Sequence, residues 1–261
     1  MQTLKNNIMK KFFISIVFLT CISILFLQCQ KDSNGTEAYA PSQGGQGGSL
    51  ARFTIVGNYM YTVDEENLSV FDITDAANPL LKRTIKVGFE IETIFPFKDK
   101  LFIGSTSVVH IFSIIDPANP TKLSTAISPT VMRRCDPVVA KQNVAYATLR
   151  TNGMCGGIQS VLAVFDISDV MKPVQKTTVP VNEPYGLGYK NNTLYVCDKS
   201  GLSVYNITNE FNPVFVKSLD NSNWYIDVIP YNDILICWTS TGVKLYDILN
   251  NQNPVLIISI N

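Results

Sequence analysis

Groups able to do covalent or acid–base chemistry are few in this chain of 261 residues. Histidine occurs once, as His110 in the run VVHIFS. A Ser-His-Asp relay needs an imidazole held between a nucleophile and a carboxylate, so a lone histidine in a strand-like run is weak ground for one. Paired carboxylates are the other option. Glu92 and Asp136 stand at matching places in two successive repeats, and two acids flanking a sugar bond hydrolyse it with retention or inversion according to their separation. The matching places in other repeats hold Ala51, Tyr185 and Ile226, and no third acid is evident. No catalytic residue is assigned on this basis. A glycosidase built on Glu92 and Asp136 is kept as the alternative.

The six cysteines point elsewhere. Neither CxxC nor the Cys/His spacing of a zinc site occurs, and no DxDxDG loop is present, so no metal and no cofactor are expected. Cys135 and Cys155 fall in loops expected on one face of the same repeat, which makes them candidate disulfide partners in an oxidising compartment. Closing that loop of about 20 residues would contribute about 3 kcal/mol. Cys197 and Cys237 sit one step out of register in successive repeats, so they should point to opposite sheet faces as buried free thiols. Twenty-one basic residues balance 21 acidic ones, with no basic stripe between aromatics. Nucleic acid is not an expected partner.

The N-terminal region carries an address. Lys5, Lys10 and Lys11 precede an uncharged, largely apolar run over residues 12–27. That run falls short of the roughly 20 residues that span a bilayer but suits the core of a secretory signal. It ends in FLQC, which places Cys29 where a bacterial lipoprotein signal puts its lipidated cysteine. The following Gln30-Lys31-Asp32 resembles the signal that sends Bacteroidota lipoproteins to the outer face of the outer membrane. Cleavage to a free periplasmic protein and retention as a membrane anchor are the alternatives. Residues 30–49 are rich in Gly, Ser, Gln and Asn and lack apolar periodicity, so they read as a flexible tether with a reach of roughly 25 Å. The expected division is residues 1–28 as signal, 29–49 as lipidated cysteine and tether, and 50–261 as the folded domain.

That domain repeats itself. LSVFDITDAANP at residues 68–79 returns as VHIFSIIDPANP, LAVFDISDVMKP, LSVYNITNEFNP and VKLYDILNNQNP, ending at Pro79, Pro120, Pro173, Pro213 and Pro254. A period near 40 with strand-like content belongs to propeller blades and not to helical repeats. Each unit divides into four short runs rich in Val, Ile, Phe and Thr, separated by turn residues. Both faces of the inner runs are apolar, as required when each sheet lies between two others. The phrase itself is the third strand and the corner into the fourth. Asp72, Asp166, Asn206 and Asp247 are placed to accept backbone hydrogen bonds there, with Ser113 as a weaker substitute. Proline suits the start of an edge strand, where no donor is needed. His110 aligns with Ser69, Ala163, Ser203 and Lys244, a position that tolerates any side chain, so it is read as solvent-facing. The expected fold is all-β, a propeller of five four-stranded antiparallel blades, with a six-bladed ring or an open stack as alternatives. No terminal strand is left over to complete a blade, so closure would rest on packing alone.

These phrases, together with CDPVV, AYATLRTNGMCGG and NTLYVCD, resemble the LVIVD repeats of bacterial β-propellers over residues 52–260. The resemblance implies a propeller, an envelope setting and an interaction role; it implies no reaction. In a propeller the loops entering the inner strands ring the channel mouth. Here they supply Phe89, Glu90, Glu92, Arg133, Arg134, Asp136, Glu183, Tyr185, Trp224 and Tyr225. Aromatic rings with Arg and acids are what an interface hot spot or a sugar platform uses. The expected function is a non-catalytic binding module that holds an unidentified protein or glycan and touches the membrane only through its lipid anchor. A structural subunit of an envelope complex is a further alternative.

Overall fold

A computed structural model describes residues 48–106, 108–128, 137–151, 159–220 and 222–261. Cys29, Arg133, Arg134, Cys135, Asp136 and Cys155 lie outside these residues, as do the signal and nearly all of the tether.

Among these residues twenty strands form five antiparallel sheets of four, each ordered as in the sequence. Blade 1 comprises β1 (Phe53–Val56), β2 (Tyr59–Val63), β3 (Asn67–Asp72) and β4 (Leu80–Lys86). Blade 2 comprises β5 (Ile91–Phe97), β6 (Lys100–Ser105), β7 (Val108–Ser113) and β8 (Thr121–Ile127). Blade 3 comprises β9 (Val138–Lys141), β10 (Val144–Leu149), β11 (Val161–Asp166) and β12 (Val174–Pro180). Blade 4 comprises β13 (Leu187–Lys190), β14 (Thr193–Asp198), β15 (Gly201–Asn206) and β16 (Val214–Leu219). Blade 5 comprises β17 (Tyr225–Tyr231), β18 (Ile234–Thr239), β19 (Gly242–Asp247) and β20 (Val255–Ile260). The first strands β1, β5, β9, β13 and β17 meet their neighbours in succession and so line the inner side.

The two-sided apolar pattern is used as expected. Side chains alternate along a strand, so each blade has a forward face toward the next blade and a rear face toward the preceding one. Four apolar layers result. Tyr61 and Val70 of blade 1 meet Leu101, Ile103 and Phe112 of blade 2. Phe102 and Ile111 meet Ala145, Ala147 and Phe165; Tyr146 and Val164 meet Leu194, Val196 and Tyr205; Tyr195, Cys197 and Val204 meet Leu235, Cys237 and Tyr246. Cys197 and Cys237 are indeed free and buried. Pointing to opposite faces of their own blades is what brings them into one layer between blades 4 and 5.

The repeated phrase does what its residue types suggest. Asp72, Asp166, Asn206 and Asp247 each accept a hydrogen bond from the backbone N–H two residues on, at 2.8–3.0 Å, and the Ser113 hydroxyl does so at 3.3 Å. A second turn of the same kind follows at Asp75, Asp116, Asp169 and Asn209. All five prolines then stand immediately before the outer strands β4, β8, β12, β16 and β20. Two features lay outside the sequence reading. Every third–fourth strand pair has a bulge just before or at the aromatic of the phrase, which adds twist at the outer edge. And His110 is 7% exposed rather than solvent-facing, because blade 1 covers the rear face of blade 2. Burial lowers its pKa to about 4. Ala163, Ser203 and Lys244 are buried likewise, while Ser69 of blade 1 is half-exposed.

That exception marks a boundary. No apolar layer joins blade 5 to blade 1 among the described residues. Their link is polar and axial. Ser49, 1% exposed, donates to Asp227 Oδ1 at 3.3 Å and accepts from the Leu187 N–H at 2.7 Å. Five sheets are present as expected, but the circle is not closed by packing.

Candidate functional site

Loops entering the inner strands and those joining second to third strands lie at one end of the blades. Two separate groups of side chains gather there. The first spans blades 3 to 5. Tyr185, just before β13, and Trp224, just before β17, bring their rings to 5.8 Å at an interplanar angle of 47°. The Arg150 guanidinium, one residue past β10, lies 4.4 Å from the centre of the Tyr185 ring. On the far side, Lys199 Nζ lies 5.8 Å from the Trp224 ring and 3.0 Å from Glu183. A cation over an aromatic face is attracted by its quadrupole, so the row Arg150–Tyr185–Trp224–Lys199 is self-ordering. Trp224 keeps 41% of its surface exposed.

The loops beneath are fixed tightly. Glu183 and Asp220 adopt positive φ, 43° and 48°, a region that non-glycine residues occupy only where surrounding bonds compensate. Asp220 has those bonds. Lys244, Ser222 and Asn223 all donate to it. Burial alone would raise its pKa, yet these donors together hold the carboxyl far below the usual range. The Thr148 hydroxyl donates to the Tyr185 carbonyl at 2.8 Å, tying the platform to blade 3.

The second group lines a cleft of about 660 Å³ at blades 1 and 2, formed by Leu50, Arg52, Glu65, Glu90, Ile91, Glu92, Thr93 and Thr106. Arg52 Nη2 donates to the Ile91 carbonyl at 2.8 Å, and Thr106 donates to Glu90. A bulge in the β5–β6 pairing between Ile91 and Thr93 sets Glu92 out of the ladder. Glu90 repeats the left-handed backbone of Glu183, with φ 54°. Phe89 is 68% exposed and lies beneath Lys86 Nζ at 4.9 Å.

Of the expected rim residues, Glu183, Tyr185 and Trp224 therefore come together, while Phe89, Glu90 and Glu92 form a different neighbourhood. Tyr225 is a correction: it is fully buried, packed between blades 4 and 5, with its hydroxyl 2.5 Å from that of Tyr246. The bulge between Tyr225 and Asp227 turns it into the layer shared with blade 4, whereas Trp224, just before the strand, stays exposed. Arg150 and Lys199 were missed. Each closes a second strand, and only the meeting of loops from different blades gives it an aromatic partner. Among the described residues no group of three or more His, Cys, Asp or Glu could hold a metal ion.

No protein-family profile matches the chain, and no curated protein matches it. Solved structures do. The periplasmic gluconolactonase PpgL of Pseudomonas aeruginosa superposes with a TM-score of 0.56 at 12% identity, over 78% of this chain and 67% of that one. Apo AztD from Citrobacter koseri gives 0.56 at 14% identity, over 77% and 59%. BamB from Moraxella catarrhalis gives 0.52 at 10% identity, over 72% and 53%. The aligned part thus covers between about half and two thirds of these proteins. Identities this low speak for the fold alone. The chain is propeller-like, with five four-stranded blades and one open seam.

Proposed function

We propose that this chain is an envelope-tethered, non-catalytic binding module whose ligand, a protein or a glycan, seats on the Tyr185–Trp224 platform. One observation carries the reading: an exposed tryptophan packed at a tilt against a tyrosine and flanked by Arg150 and Lys199, with the Tyr185 carbonyl tied to Thr148. Aromatic and arginine anchors of this kind supply most of the energy of an interface, and loss of one hot spot costs about 2 kcal/mol, or about 30-fold in affinity. Capture of partners from the native envelope on full-length protein, compared with Trp224→Ala and Arg150→Ala, tests it. The expected result is a loss of at least ten-fold for the same partner in both variants. Equal capture by all three proteins overturns the reading.

The anchor is tested separately. The apolar run over residues 12–27 followed by Cys29 supports lipidation at that cysteine. Cys29→Ala should abolish incorporation of labelled palmitate and move the protein out of the membrane fraction. Unchanged labelling would assign the anchor elsewhere.

The enzyme reading draws on a different place, the cleft in which Glu92 is set out of the ladder beside Glu65 and Glu90. Hydrolysis within a panel of glycans, lost in Glu92→Gln and retained in Trp224→Ala, would favour it over the binding module.

A further inference from the structure

Four seams of the molecule join a forward face to a rear face, and at each the side chains are sealed. Among the described residues one forward face and one rear face remain bare. On blade 5 the forward face of β18 and β19 carries Ile234 and Trp238, 38% and 55% exposed, with Ile236, Val243 and Leu245 half-buried. Their counterparts in blade 4, Tyr195, Cys197, Leu202 and Val204, are fully buried. On blade 1 the rear face carries Phe53, 57% exposed, with Ile55, Met60 and Phe71 half-buried. Their counterparts in blade 2, Ile94, Leu101 and Phe112, are sealed. Asp247, opposite Ile234 at the end of β19, is charged and shares the blade 5 face, and the uncharged Thr62 and Ser69 share the blade 1 face. Exposed apolar surface of this extent marks a contact.

We propose that these two faces are the halves of one interface, in which the forward face of blade 5 docks on the rear face of blade 1 of a second copy of this chain. The repeat argues for that occupant. Everywhere else in the molecule a forward face is covered by the rear face of another unit of the same repeat, and the matching uncovered rear face belongs to blade 1. The molecule's own blade 1 does not supply it: among the described residues the two blades share the Ser49–Asp227 link at the axis and no apolar layer. The side chain that ties one blade to the next also stops here. Tyr61, Tyr146 and Tyr195 each reach the corner of the following blade, donating to the carbonyls of Pro117, Glu210 and Asn251; the same position of blade 5 is Ile236. An interface between unlike faces is heterologous, so it propagates from copy to copy or closes into a ring.

The native cysteines show where to test it. Trp238 and Thr62 hold the positions that Cys197 and Cys237 occupy in the blade 4–5 layer. Two differently tagged full-length copies, one Trp238→Cys and one Thr62→Cys, are expressed together, oxidised in intact cells and run without reductant. A dimer bearing both tags is expected, at least ten-fold above pairs in which both copies carry Trp238→Cys or both carry Thr62→Cys. Adding Phe53→Glu to the Thr62→Cys copy should remove it. Both sites are solvent-accessible in the single molecule, so misfolding is not the expected cause of a blank; unchanged circular dichroism of each variant checks this. A blank with folded variants overturns the proposal. So does a cross-link between two Trp238→Cys copies, which would mean a symmetric contact. An internal cross-link in a Thr62→Cys, Trp238→Cys double variant, without dimer, would overturn it in favour of a ring closed on itself.

Discussion

Asp227 and His110 are buried ionisable groups whose burial shifts their pKa values in opposite directions. Asp227 holds the segment before β1 against the axis, with Gly186 and Gly48 so close that a Cβ on either would collide with its carboxyl. Burial raises its pKa to about 6, although the N–H groups of Val228 and Leu50 and the Ser49 hydroxyl donate to it. Cys197 and Cys237 face it from blades 4 and 5, with thiol pKa values raised by burial, so both stay neutral; the Lys244 ammonium on β19 is engaged by Asp220. Folding thus takes up a proton at Asp227. Its contribution is complete below about pH 4 and fades as pH rises through about 6, by up to about 3 kcal/mol. His110 has the opposite sign. Its pKa falls from 6.5 to about 4 on burial, so its contribution is complete above about pH 6.5 and is lost as pH falls, again by up to about 3 kcal/mol. The two oppose each other across one window. Between pH 6.5 and 4.5, Asp227→Asn should therefore lower the urea midpoint on acidification, and His110→Asn should raise it. Two variants that both track the parent protein would show that neither group titrates on unfolding.

At the scale of elements, the fold is an accumulation of small local devices copied five times. The corner turns, the proline before each outer strand and the alternation of two apolar faces are all local, so the sequence displays them directly. What crosses from one blade to the next is less visible. Tyr61, Tyr146 and Tyr195 look like ordinary strand aromatics, yet each donates to a carbonyl 56 to 64 residues away, at 2.8–2.9 Å. Phe102 holds the same position without a hydroxyl. Replacing any of the three tyrosines by phenylalanine leaves a partly buried carbonyl without its donor and should cost about 1 kcal/mol in chemical denaturation, while Phe102→Leu should report packing alone. Equal stability in all three Tyr→Phe variants would remove the hydroxyl ties from the account. The same distinction explains the site. Tyr185 and Trp224 could be placed on the rim from their loops, because loop position follows from strand order. Tyr225 could not be separated from Trp224, since the bulge between Tyr225 and Asp227 decides which ring turns inward. Arg150 and Lys199 became partners only once three blades stood side by side.

Across the whole molecule, stability is set by how many faces are covered. Blades 2, 3 and 4 lie between neighbours on both sides, whereas blades 1 and 5 each lack one. The sequence is silent on this difference, since Ile236 and Trp238 are as apolar as the sealed residues they match. Strands with one bare face bury less apolar area, and the free energy of opening them falls with it. Amide exchange should follow that order. β10 and β14, buried at nearly every position, should be slowest, and β1, β18, β19 and β20 should exchange well before global unfolding. Association through the bare seam should then slow β18 and β1 together as protein concentration rises, leaving β10 and β14 unchanged. Binding at the Tyr185–Trp224 platform should instead slow the loops before β13 and β17. The two contacts are thereby separable in one experiment: protection that rises with concentration at the rim but not at β18 and β1 would mean that copies meet through the platform and that the seam is simply exposed.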